Sequence, residues 1–421
     1  MRATLAPVAA LLLGMAVLLT GNGLQGLLVP LRARLEDFST LSIGILGSAY
    51  FVGFAAGCLL GPRLIERVGH IRSFATMTAI ATAAILCHVL IIEPLAWWAL
   101  RAVSGFCFAV LYVVIESWLN ARATRENRGL VLSLYLLISL TVITIGQLMV
   151  TLADPATFTL FALGAILLSL GAVPVATTRE LAPTPPPAVR PRLARLYANS
   201  PLGFLGCIAV GLANGAFWSL GPVFAADIGM GTGGVAVLMS ATVIGGAAGQ
   251  WPLGTLSDRV DRRYVMIGSC VGAAALAAAL GFAPHRDPWV QCAVAAAWGA
   301  FAFPLYTLSV AHSNDFADPE DFVEVSAGLL LLFGAGAAVG PVLVAPLMQA
   351  GGAGALFQAT MAIHLLLAGF AMLRLKARAP APIDEHVSFG EAVQAAVTVS
   401  GAFQHEPANA GAGETREKWM G

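Results

Sequence analysis

Residues 249–263, GQWPLGTLSDRVDRR, make a short polar turn between two long apolar runs, 235–248 and 264–283. Neither run contains a charged residue, whereas the turn holds five: Asp258, Arg259, Asp261, Arg262 and Arg263. Apolar segments of about 20 residues are long enough to cross a bilayer as helices. The pattern therefore indicates two membrane helices joined by a tight charged turn.

A second copy of this stretch lies 192 residues earlier, at 52–72, VGFAAGCLLGPRLIERVGHIR. Four pairs of positions match: Gly53 with Gly245, Gly57 with Gly249, Glu66 with Asp258, and Arg67 with Arg259. At an offset of 194 the match continues with Gly105 and Gly299, Tyr112 and Tyr306, and Asn120 and Asn314. One half of the chain therefore repeats the other.

The composition indicates a membrane protein. Of 421 residues, 58% are apolar and 11% charged, and the mean hydropathy is +0.81; soluble domains carry about 25% charged residues. Because lipid cannot satisfy backbone polar groups, the spanning segments are expected to be helices. A net charge of zero argues against a nucleic-acid partner. The six cysteines lie in apolar runs and predict core packing, not disulfides or metal ligands.

We predict an all-α membrane protein with twelve transmembrane helices, at roughly 7–30, 41–62, 74–92, 95–118, 130–152, 156–176, 201–224, 234–254, 265–283, 289–312, 325–349 and 354–374. The first span follows Arg2 and resembles a signal peptide, but Asn22 and Pro30 recur mid-chain as Asn214 and Pro222, which favours a permanent helix. An even number of spans in each copy predicts two parallel-repeat six-helix bundles.

The predicted halves are 1–176 and 201–378. Between them, 177–200 is rich in proline and arginine, and we interpret it as a cytoplasmic linker whose prolines disfavour a helix. The tail, 379–421, is rich in Ala, Gly and Pro, which predicts mostly disorder with a short helix near 389–399.

The distribution of basic residues predicts the orientation. If the N-terminus is cytoplasmic, 19 of the 23 Lys and Arg residues fall on the cytoplasmic side, as the positive-inside rule requires. We therefore expect a protein of the bacterial inner membrane with both termini in the cytoplasm.

The charged turn resembles a known signature. GTLSDRVDRR at 254–263 is similar to the loop of the major facilitator superfamily, Gly-x-Leu-x-Asp-Arg-x-Gly-Arg-Lys/Arg, with Asp261 in the second Gly place. The first copy departs further, because Pro62 replaces the leading Gly and Glu66 replaces the Asp.

Three other strings extend the resemblance. Arg101 followed by Gly105 is similar to the superfamily's signature in the fourth span. ESWLN at 116–120 and PLYTLSVAHSND at 304–315 resemble the YcaD-like branch of the superfamily. The resemblance implies secondary active transport of a small molecule, by rocking of two six-helix halves around a midplane site.

By this resemblance, spans 1, 4, 7 and 10 line a central cavity. Seven residues on them are candidates for substrate binding: Asn22, Gln25, Arg101, Tyr112, Asn214, Trp218 and Tyr306. The alternative is packing for the aromatic residues and interhelical hydrogen bonding for the asparagines. For Arg101 the choice lies between binding a carboxylate or phosphate and snorkelling toward the interface that Trp97 and Trp98 mark.

In the superfamily the charged turns latch the cytoplasmic side when the carrier opens outward. We expect Glu66, Arg67 and Arg72 to face Glu116 and Asn120, and Asp258, Arg259, Arg262 and Arg263 to face Asn314 and Asp315. The alternative is a set of solvated anchors. Two further choices stay open: Glu116 either joins the latch or carries a coupling proton, and His312 either relays protons with Asp315 or is a structural histidine.

The sequence lacks HExxH, Walker and G-x-S-x-G motifs, so we predict no enzyme activity, no cofactor and no metal. The expected partners are a small-molecule substrate, anionic or zwitterionic if Arg101 binds it, and the lipid bilayer, with protons as an open third; we expect a monomer. Two alternatives to active transport remain: a transporter-like sensor or scaffold without flux, and an uncoupled facilitator.

Overall fold

The computed structural model describes residues 2–122, 128–177, 191–283, 287–318, 321–379, 382 and 386–392. Over these ranges the chain forms fourteen α-helices: α1 Arg2–Leu35, α2 Thr40–Val68, α3 His70–Leu90, α4 Pro94–Arg122, α5 Arg128–Leu148, α6 Thr159–Ala176, α7 Leu193–Asn199, α8 Pro201–Asp227, α9 Thr232–Ser257, α10 Arg262–Phe282, α11 Pro288–Ala302, α12 Pro304–Asn314, α13 Phe322–Gly351 and α14 Ala355–Ala377. Twelve segments are long and apolar enough to cross a membrane, with α11 and α12 together forming the tenth. The predicted all-α membrane fold is confirmed.

Two sides of the bundle need names. The linker side holds the α2–α3 turn, the end of α4, the α9–α10 turn, the end of α12 and the end of α14. The far side holds the end of α1, the α3–α4 and α8–α9 turns and the α13–α14 turn. These names follow from the order of the helices, each of which crosses the bundle in the opposite direction to its neighbour in the chain.

The repeat seen in the sequence is a repeat in packing. Gly53 of α2 lies against the backbone carbonyl of Ala102 in α4, and Gly245 of α9 lies against that of Ala296 in α11. A side chain at either glycine would overlap the neighbouring carbonyl oxygen, so only glycine allows the two helices to come this close. The matched glycines therefore fix the same helix pair in both halves.

Contacts between the halves lie toward the far side. Gly44 packs on Pro341 and Ala345 of α13, and Gly47 packs on Ser219 of α8. On the far-side surface, Arg34 Nε donates a hydrogen bond of 2.8 Å to Asp227 Oδ1, which joins the ends of α1 and α8. Ser240 Oγ of α9 lies 3.4 Å from Gln147 Oε1 of α5.

The linker side differs. Within the described ranges, no hydrogen bond or ion pair joins the two halves there. The linker itself attaches to the C-terminal half, since Arg192 pairs with Glu324 at 2.7 Å and Arg195 with Asp321 at 2.7 Å. Among the described residues, the hydrogen bonds and ion pairs between the halves therefore lie toward the far side.

Three local features differ from the sequence prediction. The tenth span, predicted as one helix over 289–312, is interrupted at Phe303, because Pro304 has no amide to donate to the preceding turn. The linker, predicted without a helix, forms α7 after its last proline, Pro191. The first span packs between α5 and α6 as part of the bundle, which agrees with a permanent helix.

Candidate functional site

Arg101 is buried in the first third of α4 with an unsatisfied guanidinium. Its side chain is 7% exposed, and its Cζ lies 4.4 Å from the centre of the Tyr50 ring in a cation–π contact. Nε and Nη1 are buried and have no hydrogen-bond partner among the described residues. Buried polar groups are almost always paired, so these two guanidinium donors are an exception among the buried groups of the described chain.

Tyr50, the cation–π partner of this guanidinium, belongs to a group of three polar side chains. Asn22 of α1 lies close enough to interact with the hydroxyls of both Tyr50 and Tyr112. It is thirteen residues from each end of the span Ala9–Leu35, so this group lies near the middle of the bundle. Asn22, Tyr50 and Tyr112 are all half-buried.

The C-terminal half presents a matching polar position. Asn214 is also thirteen residues from each end of its span, Pro201–Asp227, and its buried Oδ1 has no partner among the described residues. Trp218, one turn further along α8, stacks on Phe303 with centroids 5.7 Å apart. Tyr306 packs on Phe333 at 4.8 Å and is close enough to Cys58 of the opposite half for an electrostatic interaction. Gln25 is 1% exposed, and both of its buried amide atoms are unpartnered within the described chain.

Glu116 lies fully buried in the N-terminal half. The Tyr135 hydroxyl of α5 donates a hydrogen bond of 2.7 Å to its Oε1, and the Asn120 side chain bonds to its backbone carbonyl at 3.0 Å. Glu66, Arg67 and Arg72 of the α2–α3 turn are exposed and form no ion pair with the described residues in this conformation. The pairing of that turn with Glu116 and Asn120, expected from the sequence, is therefore not formed here.

In the equivalent turn of the C-terminal half, one of the expected pairs forms, between Arg262 and Asp315. Arg262 is buried, its Nε donates to Asp315 Oδ2 at 2.7 Å, and its Nη1 lies 3.2 Å from Asp258 Oδ1. Arg259 is exposed, and the buried Asn314 has an unpartnered Oδ1 within the described part of the chain. The network ties α9, α10 and α12 together inside one half.

Asp261 and Arg263 form a separate pair at the start of α10. Asp261 accepts a hydrogen bond from the Arg263 backbone amide at 3.0 Å and caps the helix. Burial alone would raise the pKa of the Asp261 carboxyl, but the hydrogen bonds from the side chain and amide of Arg263 outweigh it and hold that pKa below its usual value.

His312 does not pair with Asp315, whose carboxylate is bound by Arg262. The imidazole of His312 instead faces the Phe316 ring, with centroids 5.1 Å apart. The histidine–aspartate relay, left open from the sequence, is not formed in this structure.

Tyr50 and Tyr135 were not among the site residues that the sequence predicted. Tyr50 lies on the second span, outside the set of four spans that the resemblance assigned to the cavity. The sequence did hold a signal for Tyr50, because it lies one helix turn from Gly53. That glycine brings α2 against α4 at Ala102, next to Arg101. Among the described residues, no cluster of histidine, cysteine or carboxylate side chains could hold a metal ion.

Two six-helix repeats with unpaired polar groups at mid-membrane define the architecture of a secondary transporter. The sequence-family model of the Major Facilitator Superfamily matches residues 11–236 and 203–409. The chain therefore belongs to that superfamily.

The relatives agree with the branch that the sequence indicated. The chain is 30% identical, over 82% of its length and 89% of the relative, to an uncharacterized MFS-type transporter of Enterobacter sp. (strain 638). It is 29% identical, with the same coverage, to the uncharacterized MFS-type transporter YcaD of Escherichia fergusonii. Among solved structures it is similar in fold to the nucleoside transporter NupG, with a TM-score of 0.71, 14% identity and coverage of 88% of this chain and 99% of that one.

Proposed function

We propose that the protein is a secondary active transporter that moves a small anionic or zwitterionic solute across the bacterial inner membrane. The observation that carries the proposal is the buried Arg101 guanidinium, which has two donors without partners among the described residues and lies beside Tyr50. A buried donor that is left without a hydrogen bond costs about 1–3 kcal/mol. An acceptor supplied by the substrate would recover that cost.

Arg101 favours an anion with two oxygens on one group. A guanidinium binds a carboxylate or phosphate through two parallel hydrogen bonds, which gives orientation as well as affinity. Asn22 and the two tyrosine hydroxyls add neutral donors and acceptors around it, and Asn214 offers one more from the other half. A solute held between the halves would couple its binding to their movement.

We propose that the linker side is cytoplasmic, as the excess of Arg and Lys on that side favours. Among the described residues, hydrogen bonds join the halves at the far side, and no hydrogen bond or ion pair joins them at the linker side. With the linker side in the cytoplasm, this arrangement corresponds to an inward-facing conformation. Transport would require the reverse arrangement as well, with the linker side closed and the far side open.

The function is tested by ligand screening followed by flux. Each anionic metabolite is paired with a neutral analogue of the same skeleton, such as a carboxylic acid with its amide, and the melting temperature of the purified protein is measured. A ligand at 100 times its Kd stabilises the folded state by about 2.7 kcal/mol, so an anion should raise the melting temperature where its amide does not.

Flux of the ligand into proteoliposomes is then measured with and without a pH gradient. Accumulation driven by the gradient supports the proposal. Flux that ignores the gradient identifies a facilitator, and binding without flux identifies a sensor, so either result contradicts active transport.

Replacing Arg34 with glutamine is expected to shift the protein modestly toward the far-side-open conformation. The Arg34–Asp227 pair joins the halves, but its side chains are 42% and 25% exposed; such pairs contribute about 0.2–1 kcal/mol, up to about a five-fold change in population. Labelling of Ser219→Cys by an impermeant thiol reagent from the far side measures the shift. Arg32→Gln is the matched control, because Arg32 pairs with Glu36 inside one half; equal labelling in the two variants would contradict the prediction.

A further inference from the structure

The C-terminal tail does not leave the protein at the end of α14. Residues 386–392 return to the linker side of the C-terminal half and bind the charged network there. The backbone amide of Val387 donates to Asp315 Oδ1 at 3.1 Å, and its carbonyl accepts a hydrogen bond from Arg262. The amide of Phe389 donates to both oxygens of Asp258, at 3.0 and 3.2 Å.

Phe389 anchors this segment through its side chain. It is 6% exposed and belongs to an apolar cluster with residues of α8, α10 and α12. Its ring fills the space beside Gly254, where any side chain would overlap it. Ala392, one helical turn later, is also fully buried. The segment is therefore held by backbone hydrogen bonds and by one buried aromatic ring.

The site exists in one half only. Pro62 stands in the N-terminal half at the position of Gly254, and His70 stands at the position of Arg262. His70 bonds to Ser117 at 2.9 Å instead of to a carboxylate. Glu66 stands at the position of Asp258, but the glycine space and the buried arginine that receive the tail have no counterpart in the other repeat.

The position of Gly254 on α9 places the docked tail next to the surface where the two halves meet. Gly254 lies 14 residues from Ser240, which contacts Gln147 of α5 near the far side. At 3.6 residues per turn the two positions are about 40° apart around the helix and about 21 Å apart along it. Phe389 therefore covers the linker-side end of the face of α9 that meets α5.

We propose that the surface formed by Gly254, Asp258, Arg262 and Asp315 is a docking site for the chain's own segment 386–392, and that docking holds the linker side open. Closing that side brings the ends of α5 and α9 together, and the docked Phe389 lies between them. Release of the segment frees the Asp258 carboxylate and the α9 face for contact with the N-terminal half. The inference rests on the proposed rocking of the halves.

The test measures opening directly. Spin labels on Val68→Cys and Lys376→Cys, both exposed at linker-side helix ends in opposite halves, are introduced after the six native cysteines are replaced by alanine. Their distance distribution is recorded in the full chain and in two tail variants, Phe389→Ala and a chain ending at residue 385. We expect both variants to raise the short-distance, linker-side-closed fraction at least three-fold.

Matched controls separate docking from other effects of the tail. Glu391→Ala changes an exposed residue of the same segment, and a chain ending at residue 392 keeps the docked residues; both should match the parent. The free peptide HVSFGEA, which copies 386–392, should return the chain ending at 385 to the parent distribution, whereas HVSAGEA should not.

Three results would overturn the inference. If the spin-label distances show an open and a closed population, and the tail variants do not change their proportions, the docking proposal alone is refuted. A single distance in every variant, with and without a bound ligand, would refute the rocking of the halves and the docking proposal together. A lower melting temperature in Phe389→Ala without a change in distances counts against it as well, since the segment would then only stabilise the fold.

Discussion

Replacing Arg101 with methionine is expected to abolish solute flux while leaving the unliganded protein at least as stable as the parent. Truncating one partner of a buried charged pair costs about 2–5 kcal/mol, which corresponds to a loss of about 30-fold or more in kcat/KM. In the absence of ligand, however, the substitution removes two buried donors without partners. That gain offsets the lost cation–π contact with Tyr50, which contributes about 0.5–2 kcal/mol.

Two further variants make this prediction specific. Arg101→Lys keeps the charge but loses the two-pronged geometry, and we expect it to lose flux by about ten-fold or more, because an ammonium cannot replace a bidentate guanidinium. Arg262→Met is the matched structural control. Arg262 is equally buried but bonds to Asp315 and Ser257, so its loss leaves a buried carboxylate unpaired and should destabilise the protein by about 3–5 kcal/mol.

The measurements are flux in proteoliposomes and melting temperature in detergent, each on all three variants. If Arg101→Met melts well below the parent, Arg101 stabilises the fold and the binding role is wrong. If Arg101→Lys transports at the parent's rate, a simple charge is sufficient and the interpretation as a carboxylate or phosphate clamp fails.

The helices and their pairing were largely predictable from the sequence. Apolar length set the spans, and the glycines repeated at 53 and 245 indicated where two helices approach closely. Both signals are local, because a glycine facing a carbonyl and a run of apolar residues act through their immediate surroundings. The branch of the superfamily was predictable from short strings, and the relatives agree.

Prolines show where local reasoning fails. Pro304 interrupts the tenth span, whereas Pro62, Pro222 and Pro341 lie inside unbroken helices. In a membrane helix the carbonyl that a proline leaves free can be satisfied by neighbouring helices or side chains. Whether a proline interrupts its helix therefore depends on packing that the local sequence does not contain.

Long-range contacts were the other limit. The tail was predicted to be mostly disordered, with a short helix near 389–399, because it is rich in Ala, Gly and Pro; the contact of Phe389 with Asp258, 131 residues away, was not predicted. The same limit applies to the latch. The sequence paired each charged turn with the helix end of its own half; Arg262 pairs with Asp315 in the C-terminal half, whereas Glu66, Arg67 and Arg72 form no ion pair with the described residues.

Replacing Glu116 with glutamine is expected to remove gradient-driven accumulation while solute exchange continues. Glu116 is a fully buried carboxyl six residues before the linker-side end of α4, hydrogen-bonded by Tyr135 and near the Tyr112 hydroxyl. We propose the coupling role for Glu116 because its carboxyl is buried and its Oε1 accepts a hydrogen bond from the Tyr135 hydroxyl. Glutamine keeps the shape and the acceptor for Tyr135 but cannot take up or release a proton. Net accumulation requires that step, whereas exchange of solute for solute does not.

Accumulation under a pH gradient and counterflow under no gradient are measured in the same proteoliposomes. We expect Glu116→Gln to lower accumulation by about ten-fold or more, the effect of losing about 1.4 kcal/mol or more of coupling, and to leave counterflow within about two-fold of the parent. Tyr135→Phe is the control, because it removes the hydroxyl donor and leaves the carboxyl; it should still accumulate solute. Full accumulation by Glu116→Gln would exclude a coupling proton at this residue. Loss of both accumulation and counterflow would instead favour the latch role for Glu116, because the latch is needed whenever the halves change conformation.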